Sequence, residues 1–282
     1  MTDPSPSTTQ LSIPGGSLPI PSLGFGVWQV PDDRVEAAIV TALEVGYRHI
    51  DTAKIYGNEA GVGRALAASS IPREEIFVTT KVWNDDQGPE RTRAAFEASM
   101  DRLGLEWLDL YLVHWPVPAQ DKSAETWAAL RELRDEGRVK AIGVCNFHVP
   151  HLQKAFDATG EWPAINQIEL HPYLQQAELR AFHAEHGIVT ESWSPLASGK
   201  QVLADPVIGA IAAKHGCTPA QAIIAWHLAL DCVVIPKSVT PSRIAENFAA
   251  TQVSLDADDL AALAALDRGF RTGPDPDTFN LV

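Results

Sequence analysis

The sequence predicts a (β/α)8 barrel, and three observations carry that prediction. Short β-rich runs alternate with amphipathic helical runs from Leu23 onward, a pattern that implies a parallel sheet. The alternation counts eight units with no break in composition, and eight units in one domain imply closure into a barrel. Polar residues also recur at the carboxyl end of one predicted strand after another. Periodicity carries no information on closure, so an open doubly wound sheet stays as the alternative at this level.

The first strand falls at Leu23–Gly24. Val35, Ala38, Ile39, Ala42 and Leu43 then follow the i, i+3, i+4 spacing of a helix with one apolar face. A strand at Arg48–Asp51 leads into a helix over Asn58–Ala67. Phe77–Lys81 is the third strand, and Phe96, Met100 and Leu103 form the stripe of a helix over Arg91–Leu103. Strands at Leu108–His114, Val139–Val144, Ile165–Glu169, Val189–Trp193 and Val233–Ile235 complete the eight. Helices over Ser123–Glu136, Val149–Thr159, Gln176–His186, Ala220–Leu230 and Ser242–Ala250 fill the gaps. Residues 1–8 read as a disordered tail, which leaves one domain over 9–282. Gly269–Val282 has turn residues and no period, so it is either a frayed end or a loop folded over the barrel mouth.

Composition narrows the function. With 36 acidic against 22 basic residues the formal net charge is −14, which argues against nucleic acid and anionic membrane surfaces as partners. No run reaches the ~18 apolar residues of a membrane span, and the first ten residues lack the basic start and apolar stretch of a secretion signal. Cys145, Cys217 and Cys232 are too few and too scattered for a disulfide framework, so a reducing, cytoplasmic setting is expected. A phosphate ligand would need a local basic cluster, and Lys237 with Arg243 supplies one.

In a parallel barrel the strand ends gather at one mouth, where such folds place their chemistry. Strand two ends in Asp51, strand three in Lys81 and strand four in His114. Strand five runs into Cys145-Asn146, strand six carries Gln167, strand seven ends in Trp193 and strand eight leads to Lys237-Ser238. Tyr56 follows strand two closely. A phenol alone is too weak an acid to serve near neutrality, since its pKa is about 10. The Lys81 ammonium is expected to lower that value, and Asp51 to hold Lys81. His114 would orient a carbonyl or share in proton delivery. The set suits a step in which negative charge develops on a carbonyl oxygen. A Schiff base on Lys81, as in an aldolase, is the competing chemistry, and a sensor that binds dinucleotide without turnover is a third reading.

These residues stand in motifs that resemble the aldo-keto reductases, closest in appearance to prokaryotic members of the 2,5-diketo-D-gluconate reductase type. The motifs are Gly46-Tyr47-Arg48-His49-Ile50-Asp51-Thr52-Ala53 with Tyr56-Gly57-Asn58-Glu59, then Lys81-Val82-Trp83 and Leu110-Tyr111-Leu112-Val113-His114-Trp115-Pro116. Gly143-Val144-Cys145-Asn146-Phe147 and Ile235-Pro236-Lys237-Ser238 continue the series. The resemblance runs from about Leu11 to Val282. It implies a monomeric NADPH-dependent enzyme that reduces aldehydes, ketones or keto-sugars by hydride transfer, with Tyr56 donating the proton and Asp51, Lys81 and His114 completing a tetrad. It further implies Asn146 and Gln167 at the carboxamide, Trp193 on the nicotinamide, and Leu196, Ser198 and Gly199 at the pyrophosphate. Lys237, Ser238, Val239, Thr240 and Arg243 would grip the 2′-phosphate, with Glu246 and Asn247 at the adenine. Trp28, Trp83 and Trp115 are expected to wall the substrate pocket. One departure is Cys145, where the family often has Ser; no role is assigned to it.

Other signals lead nowhere. Gly57, Gly61 and Gly63 lack the spacing of a dinucleotide turn and are expected at turns and helix contacts. Gly199-Lys200 lacks the upstream Gly and following hydroxyl of a P-loop. His148/His151 and His183/His186 lack a third zinc ligand and read as surface histidines. No metal site is expected.

Overall fold

The computed structural model describes residues 9–12, 19–199 and 201–282; the expected tail at 1–8 and Lys200 lie outside the described residues. The first elements form an antiparallel hairpin of β1 (Gln10–Ser12) and β2 (Pro19–Pro21). Eight parallel strands follow: β3 (Phe25–Gly26), β4 (His49–Asp51), β5 (Phe77–Val82), β6 (Leu108–Val113), β7 (Val139–Cys145), β8 (Ile165–Glu169), β9 (Val189–Trp193) and β10 (Val233–Val234). Each pairs with its neighbour in sequence. Leu23 then bridges Val234 in parallel, with Gly24 N–H donating to Val234 O (2.9 Å) and Val234 N–H to Ser22 O (2.8 Å). The ring is therefore closed, and the open-sheet alternative is excluded.

Strand alternation sorts the interior. Phe77, Leu110, Leu112, Ala141, Cys145, Ile165 and Val233 point inward and pack with Ile20 of the hairpin, which plugs the end of the barrel away from the mouth. Their neighbours in sequence, such as Val78, Tyr111 and Val144, face outward into a second core against the helices. The helices are α1 (Asp32–Val45), α2 (Glu59–Ala68), α3 (Pro89–Leu103), α4 (Ser123–Asp135), α5 (Val149–Thr159), α6 (Ala177–His186), α7 (Pro206–His215), α8 (Pro219–Ala229), α9 (Pro241–Ala249) and α10 (Ala257–Ala264). Pro opens α3, α7, α8 and α9, where its missing N–H costs no helical bond. Two of these, α7 and α10, are absent from the sequence reading, as is the hairpin.

Gly61 and Gly63 let α2 lie close to its neighbours. A Cβ at Gly61 would stand 2.3 Å from Val35 Cγ1 of α1, and one at Gly63 would stand 2.5 Å from Leu103 O of α3. The surface reading of the histidines fails for His183. Its ring is buried between Asn166 Nδ2 (3.0 Å) and Thr190 Oγ1 (2.9 Å), because that face of α6 packs on the strands. His148 caps α5, its backbone N–H donating to His151 Nδ1 (3.1 Å).

Candidate active site

Asp51 closes β4, and a short 3₁₀ turn over Lys54–Tyr56 returns the chain over the mouth to place Tyr56 beside it. Lys81 lies on β5, and His114 directly follows β6. Lys81 is wholly buried, and its Nζ donates to Asp51 Oδ1 (2.7 Å), Asp51 Oδ2 (2.7 Å) and Thr52 O (2.8 Å). Three acceptors for three hydrogens define an ammonium. Burial is the largest single influence and works to neutralise it, but the Asp51 charge, the neighbouring Tyr56 and Cys145 and the Asp51 hydrogen bond together hold the amine above its usual range. A Schiff base needs a free amine, and this buried ion pair disfavours one.

The Lys81 ammonium stands 5.2 Å from the Tyr56 ring centroid. It lowers the phenol's pKa as expected, but burial raises it more, so the net shift is upward and the expected lowering is overturned. Tyr56 is thus an acid that keeps its proton through neutrality. The His114 ring meets Tyr56 edge-on at 5.9 Å and Trp83 at 5.1 Å. Burial, then the Lys81 charge, holds this imidazole well below its ordinary range, so it is neutral. Its Nδ1 has no partner among the described residues.

The next strands add a polar wall. Asn146 follows β7 with a left-handed backbone (φ 62°), a conformation Asn tolerates well. Its Nδ2 donates to His114 O (3.1 Å), and its Oδ1 accepts from Trp193 Nε1 (2.8 Å). Gln167 Nε2 donates to Asp51 Oδ2 (2.9 Å) and to Glu191 Oε2 (3.0 Å). Glu191 is fully buried; burial, and after it the Asp51 charge, pushes its carboxyl up to about 8. Cys145 is also buried, and burial holds its thiol well above its ordinary range.

A cavity of about 950 Å³ opens over these groups. Asp51, Tyr56, His114, Asn146, Gln167 and Trp193 line its floor, while Lys81 sits beneath it. Trp28, Trp83 and Trp115 line one wall, joined by Ile55 and Phe279. The cavity continues past Leu196, Ser198 and Gly199 to Lys237, Ser238, Arg243, Glu246 and Asn247. Val239 and Thr240 sit next in sequence but do not line it. Lys237 and Arg243 are exposed and form no ion pair among the described residues. Thr272, Gly273, Pro274 and Phe279 of the C-terminal segment also line the cavity. Phe279 packs on Trp115 with centroids 4.4 Å apart, and Glu169 accepts from Thr272 N–H (2.6 Å) and Gly273 N–H (3.1 Å).

Sequence reasoning missed Glu191, Glu169, Ile55 and Phe279. Glu191 and Glu169 lie on predicted strands in phase with Gln167 and Trp193, and that phase was the available signal. Ile55 and Phe279 carry no comparable signal.

The chain belongs to the aldo/keto reductase family, whose model matches residues 22–268, and it is accordingly an oxidoreductase. It is 55% identical over 272 residues to methylglyoxal reductase DkgA of Escherichia coli (strain K12), covering 96% of this chain and 98% of the relative. It is also 55% identical over 263 residues to an aldo-keto reductase of Mycolicibacterium smegmatis, covering 93% and 95% of the two chains. Among solved structures it resembles a mutant of Gox0644 in complex with NADPH, with a TM-score of 0.93, 49% identity, and coverage of 97% of this chain and 99% of that one.

Proposed function

We infer that this chain reduces small neutral aldehydes and ketones, α-dicarbonyls among them, with NADPH, and that Tyr56 supplies the proton. The observation that carries this reading is one continuous cavity that joins the Asp51–Lys81–Tyr56–His114 cluster to the exposed cations Lys237 and Arg243. A relative named for methylglyoxal and a similar structure with NADPH bound support it.

The residues present fit that dinucleotide. Gln167 Oε1 accepts no hydrogen bond among the described residues, and Gln167 lines the floor. The Trp193 ring is half-buried beside it, its indole N–H held by Asn146. Asn146 and Gln167 would hold the carboxamide, Trp193 the nicotinamide face, and Leu196, Ser198 and Gly199 the pyrophosphate. Lys237, Ser238, Val239, Thr240 and Arg243 would take the 2′-phosphate, where charge-assisted bonds to a dianion are strong. Glu246 and Asn247 would meet the adenine. When bound, NADPH supplies a hydride to the carbonyl carbon.

The chain's own groups manage the oxygen. Neutral His114 donates one hydrogen bond to it and fixes its direction, without adding a charge that would compete with Lys81. Tyr56 gives its proton as negative charge develops there. The Lys81 ammonium, held by Asp51, stabilises the phenolate left behind. We further infer that the protein works as a monomer in the cytoplasm, as one domain over residues 9–282 whose C-terminal loop forms part of the pocket.

Arg243→Ala tests the cofactor assignment. NADPH should bind about 1.5–3 kcal/mol more weakly, the scale of a charged hydrogen bond, while NADH binding should barely change. The parent should favour NADPH by roughly one to two orders of magnitude, the equivalent of that charged hydrogen bond. Equal catalytic efficiency with both cofactors in the parent would sink the assignment.

The wall formed by Trp28, Ile55, Trp83, Trp115 and Phe279 carries no Lys or Arg, so a substrate carboxylate would be desolvated without a counter-charge. Methylglyoxal should therefore exceed glyoxylate in kcat/KM by at least roughly tenfold. Trp83→Ala and Trp115→Ala should reorder a carbonyl panel while leaving NADPH affinity in place. An unchanged order in both variants would remove these indoles from the pocket.

A further inference from the structure

Gln167 and Glu191 lie side by side in the register of β8 and β9. The Gln167 amide nitrogen directs one hydrogen to Asp51 Oδ2 at 2.9 Å and the other to Glu191 Oε2 at 3.0 Å. Both neighbours are acceptors here. Asp51 is the carboxylate bound to the Lys81 ammonium, so the amide cannot turn its oxygen that way without repulsion. Glu191 fixes the remaining torsion. The basic group beside Glu191 is His49, whose Nε2 stands 3.8 Å from Oε1; burial and the Lys81 charge keep that ring neutral, at about 3. Among the described residues Glu191 thus has no ion pair to justify its burial, and its side chain hydrogen-bonds to Gln167. A buried acid with one partner is costly to keep, which directs attention to what that partner does.

We propose that Glu191 is a positioning residue of the dinucleotide site: together with Asp51 it takes both hydrogens of the Gln167 amide and so commits Gln167 Oε1 to accept an N–H of the nicotinamide carboxamide. This rests on the reading of Gln167 as a carboxamide contact. Loss of the Glu191 acceptor frees the amide to rotate and to satisfy its second hydrogen elsewhere, at the expense of the bond to cofactor.

The test compares binding of NADP+ with binding of its 3-acetylpyridine analogue, whose acetyl group has no N–H, by quenching of protein fluorescence. The parent should prefer NADP+. Glu191→Met, close in volume and without an acceptor, should bind NADP+ about 3- to 10-fold more weakly, as for one neutral hydrogen bond, and the analogue unchanged. Glu191→Gln, which keeps an acceptor oxygen, should restore the parent's preference. Equal weakening of both ligands in Glu191→Met would mean a general effect on the fold and would overturn the proposal. A parent preference that survives in Glu191→Met would leave the Gln167 contact standing and remove Glu191 alone. A parent with no preference would remove the Gln167 contact, and the proposal with it.

Discussion

Tyr56→Phe should reduce carbonyl compounds about 10²–10⁴-fold more slowly than the parent while binding NADPH almost as before. The substitution removes one oxygen and one proton and leaves a ring of nearly the same shape. The residues placed at the dinucleotide lie on β8 and β9 and in the segments that follow β7, β9 and β10, so cofactor affinity has no reason to move. The structure changes the ground of this prediction. A neighbouring ammonium suggested a phenol poised near neutrality, but burial wins over Lys81 and keeps the proton on Tyr56. Lys81 therefore matters for the phenolate that forms during transfer, more than for the resting acid. Lys81→Met should also be slow, and it should lose about 3–5 kcal/mol of stability, because Asp51 is left buried without its cation. Stopped-flow rates, with cofactor titration and urea unfolding of both variants, check all three statements. A Tyr56→Phe variant at the parent's rate would end the assignment of the proton donor.

Mild acid should destabilise the fold, because buried imidazoles refuse protons that the unfolded chain accepts. Four buried imidazoles are held low mainly by burial: His49 and His183 at about 3, His227 at about 4, and His114 well below its ordinary value. Unfolded, each takes a proton near pH ~6.5. Below that value the unfolded chain binds four protons that the folded chain refuses, so stability falls as pH falls. Glu191 acts the other way: its carboxyl keeps a proton up to about 8 when folded and only to about 4.3 when unfolded. It favours the folded state as pH falls through that window. The balance is about three protons, and integration from about pH 7 to about pH 5.5 gives a loss of about 3 kcal/mol. Burial raises the Asp259 carboxyl, but hydrogen bonds from Lys214 and His215 outweigh it and hold it low, so it titrates below this range. A urea midpoint that drops between the two pH values at constant slope is the expected result; a flat or rising midpoint contradicts the burial of these rings.

Much of the barrel and most of the mouth could be read from the chain. Strand alternation fixes which residues face inward, so Asp51, Lys81, His114, Gln167 and Trp193 could be collected before any coordinates, since each stands at or near a strand's carboxyl end. What escaped depends on contacts between strands or on weak local pattern. The hairpin strands have three residues each and include Pro19 and Pro21, and their purpose shows only when Ile20 plugs the barrel. Helix α7, PVIGAIAAKH, is apolar on almost every side and presents no stripe. Helix α10 spans only eight residues. Glu191 reads as an ordinary strand acid until β8 brings Gln167 alongside. His183 has the look of a polar helix residue, and only Asn166 and Thr190 on the adjoining strands reveal its burial.

The central claim is that the cavity over Tyr56 and His114 is where a carbonyl is reduced at the expense of NADPH. Its most direct test is a single turnover: enzyme in excess, preloaded with NADPH, is mixed with methylglyoxal, and NADPH absorbance and alcohol are followed together. The account predicts one alcohol formed for each NADPH consumed, in a fast phase that Tyr56→Phe slows by about two or more orders of magnitude. Tight NADPH binding with no loss of absorbance across a panel of neutral carbonyls would contradict it and leave a dinucleotide-binding protein without this chemistry.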